Sequence, residues 1–251
     1  MIKREQLLFP DAVKAMQDHA KRAYPNEAVG LITTRAYVPL KNTSDEPEFT
    51  ATVASSVVAP YVMDGSLVAV FHSHPNGPNC PSELDMRSQM GMEVPFIIVS
   101  TNGDACLAPF AWGDQLEPFP LLERGFQHGV TDCYELIRDH RWLTYGERLP
   151  QFPRNWNWWL NGQSLYIDGF QAAGYRLLEG DETPQAGDGF LACVKSRVPN
   201  HAGVLVEPGM ILHHATARDP YDPSRLAKRE PVHRWRDYIT HWVRRDVEPS
   251  S

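Results

Sequence analysis

The sequence predicts an α/β or α+β N-terminal half followed by an α+β C-terminal half. Three observations carry this. The 251 residues suit two domains of ordinary size, and a chain this long buries most of its unfolded surface without disulfides. Up to residue 110, a helical pattern and short apolar runs alternate, as in helices layered on a sheet. Beyond residue 125 one helical pattern is followed by strand-like runs, which fits a helix packed on a small antiparallel sheet.

The elements follow in order. DAVKAMQDHAKRA (11–23) places Val13, Met16, Ala20 and Ala23 on one stripe of a helix that Pro25-Asn26 ends. AVGLIT (28–33) and LVAVFH (67–72) are apolar runs of buried-strand length. SELDMRSQMG (82–91) reads as a helix closed by Gly91, PFIIVS (95–100) as a strand before the turn TNGD, and CLAPF (106–110) as the last strand of this half. WGDQLEPFPLLERG (112–125) carries two prolines and two glycines with no clear period, and reads as a linker. DCYELIRDHRWL (132–143) has helical spacing; GDGFLACV (187–194), AGVLVEPGMILHH (202–214) and HWVRR (241–245) read as strands. RRDVEPSS (244–251) reads as a frayed end.

Composition narrows the function classes. A net charge of −7 argues against nucleic-acid binding, which favours a basic excess. MIKREQLLFPDAV lacks the apolar core of a signal peptide, and no apolar run approaches the roughly 18 residues of a membrane span. The cysteines at 80, 106, 133 and 193 form no C-x-x-C pair, so neither a zinc ribbon nor a disulfide framework is expected. Folding in a reducing cytoplasm is.

HSHPNGPNCPSELD (72–85) raises the first chemical question. Residues i and i+2 of a strand face one side, so His72 and His74 can point at one ion. Asp85 falls in the first turn of the next helix, brought back by the NGPNCP turn. Two imidazoles and a carboxylate leave a fourth tetrahedral position for water, and Glu27 is a candidate proton carrier. The same S-x-x-D would serve as a helix cap, and H-x-H alone is a weak signal. The whole string, a glutamate followed by H-x-H-P and, with seven residues between the second histidine and its serine, S-x-x-D, resembles the JAMM (Mov34/MPN/PAD-1) metallopeptidases. That resemblance implies a mixed sheet flanked by helices, one Zn2+ on His72, His74 and Asp85, Glu27 as base, Ser82 hydrogen-bonding the tetrahedral intermediate, and cleavage of amide or isopeptide bonds.

GVTDCYELIRDH (129–140) raises the second. Asp132 as N-cap and Glu135 at N3 form a capping-box variant. Cys133 then sits at the first helical position, where the helix dipole favours thiolate, the nucleophile of thiol-dependent amide hydrolysis. His201, at the head of a strand, is a candidate base. Alone, Cys133 reads first as a small core residue, as do Cys80, Cys106 and Cys193. D-C at a helix start, a G-D strand, H-x-G-V-x-V and a further histidine twelve residues on resemble the papain-like NlpC-type cysteine peptidases. Tyr134 and Glu135 depart from the Ser-Gly those enzymes carry. DCYELIRD, LYIDGFQAAGY and GMILHH instead resemble the subgroup attached to phage tail proteins. Turn geometry leaves the third position open: a three-residue loop at Glu207-Pro208-Gly209 pairs Val206 with Met210 and selects His213, while a two-residue Pro-Gly loop selects His214. The family spacing selects His213.

The order of the two domains resembles siphophage tail assembly proteins. It implies a JAMM domain at 1–112, a linker at 113–125 and an NlpC-type domain at 126–251. It also implies a tail-tip component that works with other tail-tip proteins in the host cytoplasm and reaches the virion. The expected substrates are peptidoglycan stem or cross-link peptides, cut at the cysteine site, with the zinc site acting on a second substrate; the alternative is processing of tail proteins. A structural role with vestigial sites is the remaining alternative, and the intact residue sets count against it. RNWNWWLNG (154–162) offers tryptophan faces that can stack on sugars, but clustered tryptophans more commonly pack on their own domain or a protein partner.

Overall fold

The computed structural model describes residues 1–245; the expectation for residues 246–251 lies outside them. The chain divides into two compact units, Met1–Glu117 and Pro118–Ser251.

The first unit begins with α1 (Arg4–Leu7) and α2 (Pro10–Ala23), then β1 (Val29–Thr33), β2 (Tyr37–Leu40), α3 (Ser55–Met63), β3 (Leu67–Pro75), α4 (Glu83–Met92), β4 (Phe96–Thr101) and β5 (Phe110–Trp112). The five strands form a mixed sheet in the order β2-β1-β3-β4-β5, with β3 and β4 parallel and the other pairs antiparallel. Proline at N1 starts α2 with its φ already helical, and the expected stripe holds: Met16 and Ala20 are buried, with Val13 and Ala23 packed beside them. The α2 stripe meets Ala69, Phe71, Ile97 and Val99 of β3 and β4. Because side chains alternate along a strand, Val70, His72 and His74 face the opposite side, into an open cleft.

Some local expectations are corrected. The fourth helix runs through Gly91 and ends at Glu93, which takes the left-handed conformation itself (φ 55°). Cys106 makes only an isolated bridge to Thr101, and the last strand starts at Phe110. Leu116, inside the stretch read as linker, is buried in the first unit's core, with Ile2 bridged to it.

The second unit holds β6 (Gly125–Gln127), α5 (Cys133–Tyr145), α6 (Leu165–Gly169), β7 (Tyr175–Leu177), β8 (Gly189–Ala192), β9 (His201–Glu207), β10 (Met210–His213), β11 (Tyr221–Leu226), β12 (Lys228–Pro231) and β13 (Ile239–Arg245). Six strands form one sheet, β12-β10-β9-β8-β13-β7, antiparallel throughout. One face packs on α5: Ile137 meets Ala202 and Leu191, and Leu136 meets Val204 and Leu212. The other face carries Phe190, Leu205 and Ile211 against Trp235 and Trp242.

Candidate functional site

In the first unit the cleft is built by β3. His72 pairs with Val29 of β1 and with Ile98 of β4, so its backbone is held from both sides. Ser73 points the other way and ties β3 to the entry of β1: its Oγ accepts from the Ala28 amide at 2.8 Å, and its own amide donates to Ala28 O at 2.9 Å. This brings Glu27 to the cleft beside His74. Glu27 is fixed by its amide bond to Pro47 O and by Asn42 Nδ2, which donates to its carbonyl at 3.1 Å. Ser82 caps α4, accepting from the Asp85 amide, while the Asp85 carboxylate accepts from the Ser82 amide. The cap and the ligand reading of S-x-x-D therefore coexist: the cap aims Asp85 back at β3.

The resulting geometry is tight. His72 Nε2 lies 3.1 Å from His74 Nε2 and 3.1 Å from Asp85 Oδ1, and His74 Nε2 lies 3.4 Å from Asp85 Oδ2. One ligand atom from each of the three falls within 4.8 Å of the others. His74 Nδ1 meets Pro78 O at 3.0 Å; the N–H must donate to that carbonyl, which leaves the Nε2 lone pair free for an ion. The Ser82 hydroxyl donates to Asp85 Oδ2 at 2.7 Å, so Ser82 first orients a ligand. Burial opposes ionisation of Asp85, but the two imidazoles hold its carboxyl well below the usual range. Burial would lower His74, yet Asp85 raises it above its ordinary value. Burial raises the Glu27 carboxyl. Glu27, His72, His74, Ser82 and Asp85 line one cleft of about 700 Å³, whose walls include Leu31, Phe49, Leu84 and Phe96. The donor set, two nitrogens and a carboxylate converging beside a buried carboxylate, fits zinc.

In the second unit the N-terminus of α5 is held by buried charge. Asp132 Oδ1 accepts from the Tyr134 and Glu135 amides, both at 3.1 Å; Oδ2 accepts from Gly129 N at 2.7 Å and from Arg154 Nη2 at 2.6 Å. Glu135 departs from the expected capping box and pairs instead with Arg138 at 2.9 Å and with Arg154. Cys133 is the first helical residue, as its spacing implies, but the dipole does not set its ionisation. Burial and the adjoining Asp132 carboxylate push the thiol up to about 11. Its hydrogen-bond partners are the Tyr166 hydroxyl at 3.1 Å and the Ala202 amide, not an imidazole.

His201 and His213 are brought together: Nε2 of the first lies 3.1 Å from Nδ1 of the second. Both are fully buried against Trp235, at ring distances of 5.0 and 4.4 Å. The hairpin places His213, and not His214, against His201. Glu207 pairs with Met210 across a two-residue loop, and a bulge between Met210 and Ile211 then restores the pairing of His213 with Gly203. His214 points to the other face, bonded to Thr131 O and Arg225 O. The tryptophans pack on their own unit: buried Trp158 meets Tyr166 and Trp159 edge-on, and Trp156 meets Phe126 and His128 in the same way. Sequence reasoning missed Tyr166, Arg154 and Glu230 as partners of Cys133, Asp132 and His213. They stand 33, 22 and 17 residues away, and no local pattern announces contacts at such separations.

Comparison with known proteins agrees with this architecture. Residues 10–112 match the family of prokaryotic homologs of the JAB domain. Tail tip assembly protein K of Escherichia phage lambda is 38% identical over 186 residues, 73% of this chain and 80% of that protein. The chain belongs to the tail tip assembly protein K family. The protein K of Escherichia phage N15 is 32% identical over 212 residues, 80% of this chain and 83% of its own length. A probable TtuB-protein conjugate cleaving protease of Thermus thermophilus is 35% identical over 95 residues, 34% of this chain and 63% of that one. Among solved structures, a JAB1/MPN domain protein from Archaeoglobus fulgidus covers 42% of this chain at 21% identity and a TM-score of 0.29. The family match over residues 10–112 and the sheet order make the first unit a JAB/MPN-like α/β domain with a mixed sheet. Among the described residues, no helix is long and apolar enough to cross a membrane.

Proposed function

We propose that this tail tip assembly protein is a zinc-dependent peptidase whose working site is the cleft of the first unit. The observation that carries the reading is the convergence of His72, His74 and Asp85 beside buried Glu27 in an open cleft. The three would hold Zn2+, which when bound polarises an amide carbonyl and lowers the pKa of a bound water toward about 7. The Glu27 carboxylate accepts a proton from the attacking water and returns it to the leaving nitrogen; burial raises its affinity for that proton. The Ser82 amide, 2.7 Å from Asp85 Oδ2, holds Asp85 in place while the hydroxyl turns its single proton from that carboxylate to the developing oxyanion. The apolar walls of the cleft suit an extended peptide, and tail proteins are the natural substrates for a component that assembles with them.

A second reading is favoured by the buried His201–His213 pair and by Cys133 at a helix N-terminus. It takes residues 126–251 as a papain-like NlpC-type domain. Cys133 is its nucleophile, His201 its base and His213 the residue that orients the base, and its substrates are peptidoglycan stem or cross-link peptides. The raised Cys133 pKa means that the thiol must pass its proton to a base as it attacks, rather than rest as thiolate. In this reading the protein is made in the host cytoplasm and travels with the tail tip.

The test incubates the zinc-loaded full chain, Glu27→Gln and Cys133→Ala with tail proteins and with purified peptidoglycan. Cleavage lost in Glu27→Gln and with chelator, but kept in Cys133→Ala, supports the zinc reading. Muropeptide release lost only in Cys133→Ala transfers the activity to the second unit. No cleavage by the parent leaves a structural component of the tail tip.

A further inference from the structure

The buried histidine pair does not end at His213. His213 Nε2 lies 3.0 Å from Glu230 Oε2, and the same oxygen accepts from the Trp235 indole N–H at 2.8 Å. The other oxygen, Oε1, meets Lys228 Nζ at 2.7 Å. Strand β12 delivers this carboxylate: Glu230 pairs with Ile211 of β10, which sets it beside the ring of His213. Trp235 packs against both imidazoles, tilted against His201 and edge-on to His213. Glu230 thus has defined partners on both oxygens, with its side chain 15% exposed.

These contacts determine where the protons sit. A carboxylate only accepts, so His213 must carry its proton on Nε2. Its Nδ1 is then a lone pair, and His201 Nε2, 3.1 Å away, must be the donor. That leaves His201 with a bare Nδ1, which faces the Thr216 hydroxyl at 3.5 Å, a group able to donate to it. Burial keeps both rings neutral, with His213 pushed down to about 4 and His201 well below its ordinary value. Burial opposes the charge on Glu230, but its three donors bring its pKa down to about 2.

We propose that Glu230 is a positioning residue that sets the tautomers of His213 and, through it, His201, so that the one lone-pair ring nitrogen of this histidine pair left outside the hydrogen-bonded series is His201 Nδ1. The role rests on the thiol reading of the second unit only for its use in chemistry: there, His201 Nδ1 receives the Cys133 proton, and Glu230 extends the His201–His213 pair to a carboxylate.

The test labels the full chain with 15N-histidine and reads each ring's tautomer by long-range nitrogen–proton correlation, with signals assigned by single substitutions of His201 and His213. In the parent both rings are expected as Nε2–H. In Glu230→Leu, which removes the acceptor, the ratio of Nε2–H to Nδ1–H forms at both rings should fall about tenfold, the scale of one lost charge-assisted hydrogen bond. Glu230→Gln keeps the shape and a weaker acceptor oxygen; it should shift the ratio the same way by less, and it serves if the leucine variant does not fold. Unchanged tautomers in a folded variant overturn the proposal. Iodoacetamide labelling of Cys133, resolved by peptide mass, separates this from the reading beneath it. If labelling slows together with the tautomer change, both stand. If the tautomers move and labelling does not, Glu230 positions the imidazoles and the thiol reading falls.

Discussion

Replacing Asp132 by alanine tests how the start of α5 is held. Two losses add. The cap to the Tyr134 and Glu135 amides is worth about 1 kcal/mol. Arg154, buried to 7% exposure, also loses its nearer carboxylate, Asp132 at 2.6 Å, while Glu135 stays at 3.5 Å, and breaking a buried pair costs about 3 kcal/mol. A total near 4 kcal/mol is expected. Every tryptophan but Trp112 lies beyond Glu117, so the urea transition followed by tryptophan emission reports chiefly on the second unit. Arg154→Met on top of Asp132→Ala should recover much of the loss, because an apolar side chain needs no counter-charge. The sign with pH is fixed. Burial opposes its charge, but Arg154, His128 and Gly129 hold the Asp132 carboxyl well below its ordinary value, so its contribution is full above the usual carboxylate range and is lost as pH falls below it. A loss under about 1 kcal/mol would refute the argument, since even the cap alone supplies that much.

Further outcomes are expected. Zinc in excess should raise the melting temperature of the first unit by mass action on the folded state, and neither His72→Ala nor Asp85→Ala should show the shift in calorimetry with and without chelator. Glu27→Gln should keep zinc binding, measured by competition with a chromophoric chelator, while losing peptide cleavage by about a hundredfold or more. Gly203→Ala should destabilise the second unit by about 1–3 kcal/mol in urea melts, because the added Cβ would lie 2.6 Å from the Phe190 ring and 2.7 Å from Leu212 O. His214→Ala should leave the His201 and His213 tautomers unchanged in nitrogen–proton spectra, since His214 bonds Thr131 O and Arg225 O on the opposite face.

Much of the first site was legible because its signal is local. H-x-H on a strand must place both rings on one face, and S-x-x-D at a helix start must turn Asp85 toward the chain that precedes it; both are consequences of backbone period and capping chemistry. Glu27 is different: a lone glutamate before an apolar run carries no local meaning, and only the pairing of β1 with β3, pinned by Ser73 and Ala28, brings it to the cleft. The α2 helix, most core strands and Asp132 as the cap of α5 were read correctly from period and capping residues, whereas Glu135 pairs with arginines and closes no capping box. The short strand Tyr37–Leu40 and the helix Ser55–Met63 were not, since neither has a burial pattern that stands out from its neighbours.

The sequence by itself determined which residues could do chemistry: two histidines one residue apart, an aspartate in reach, a cysteine at a helix start and two histidines twelve apart. It did so because strand and helix periods are properties of a few consecutive residues. Tertiary structure decided the rest. That His213 rather than His214 meets His201 came from a bulge after a two-residue loop. The protonated state of Cys133 came from burial and the Asp132 charge overriding a helix dipole. The carboxylate behind the histidine pair came from β12 lying beside β10. Each depends on which distant segments share a sheet or a core, and desolvation and charge at a buried group are set by those neighbours rather than by the residues next to it in sequence.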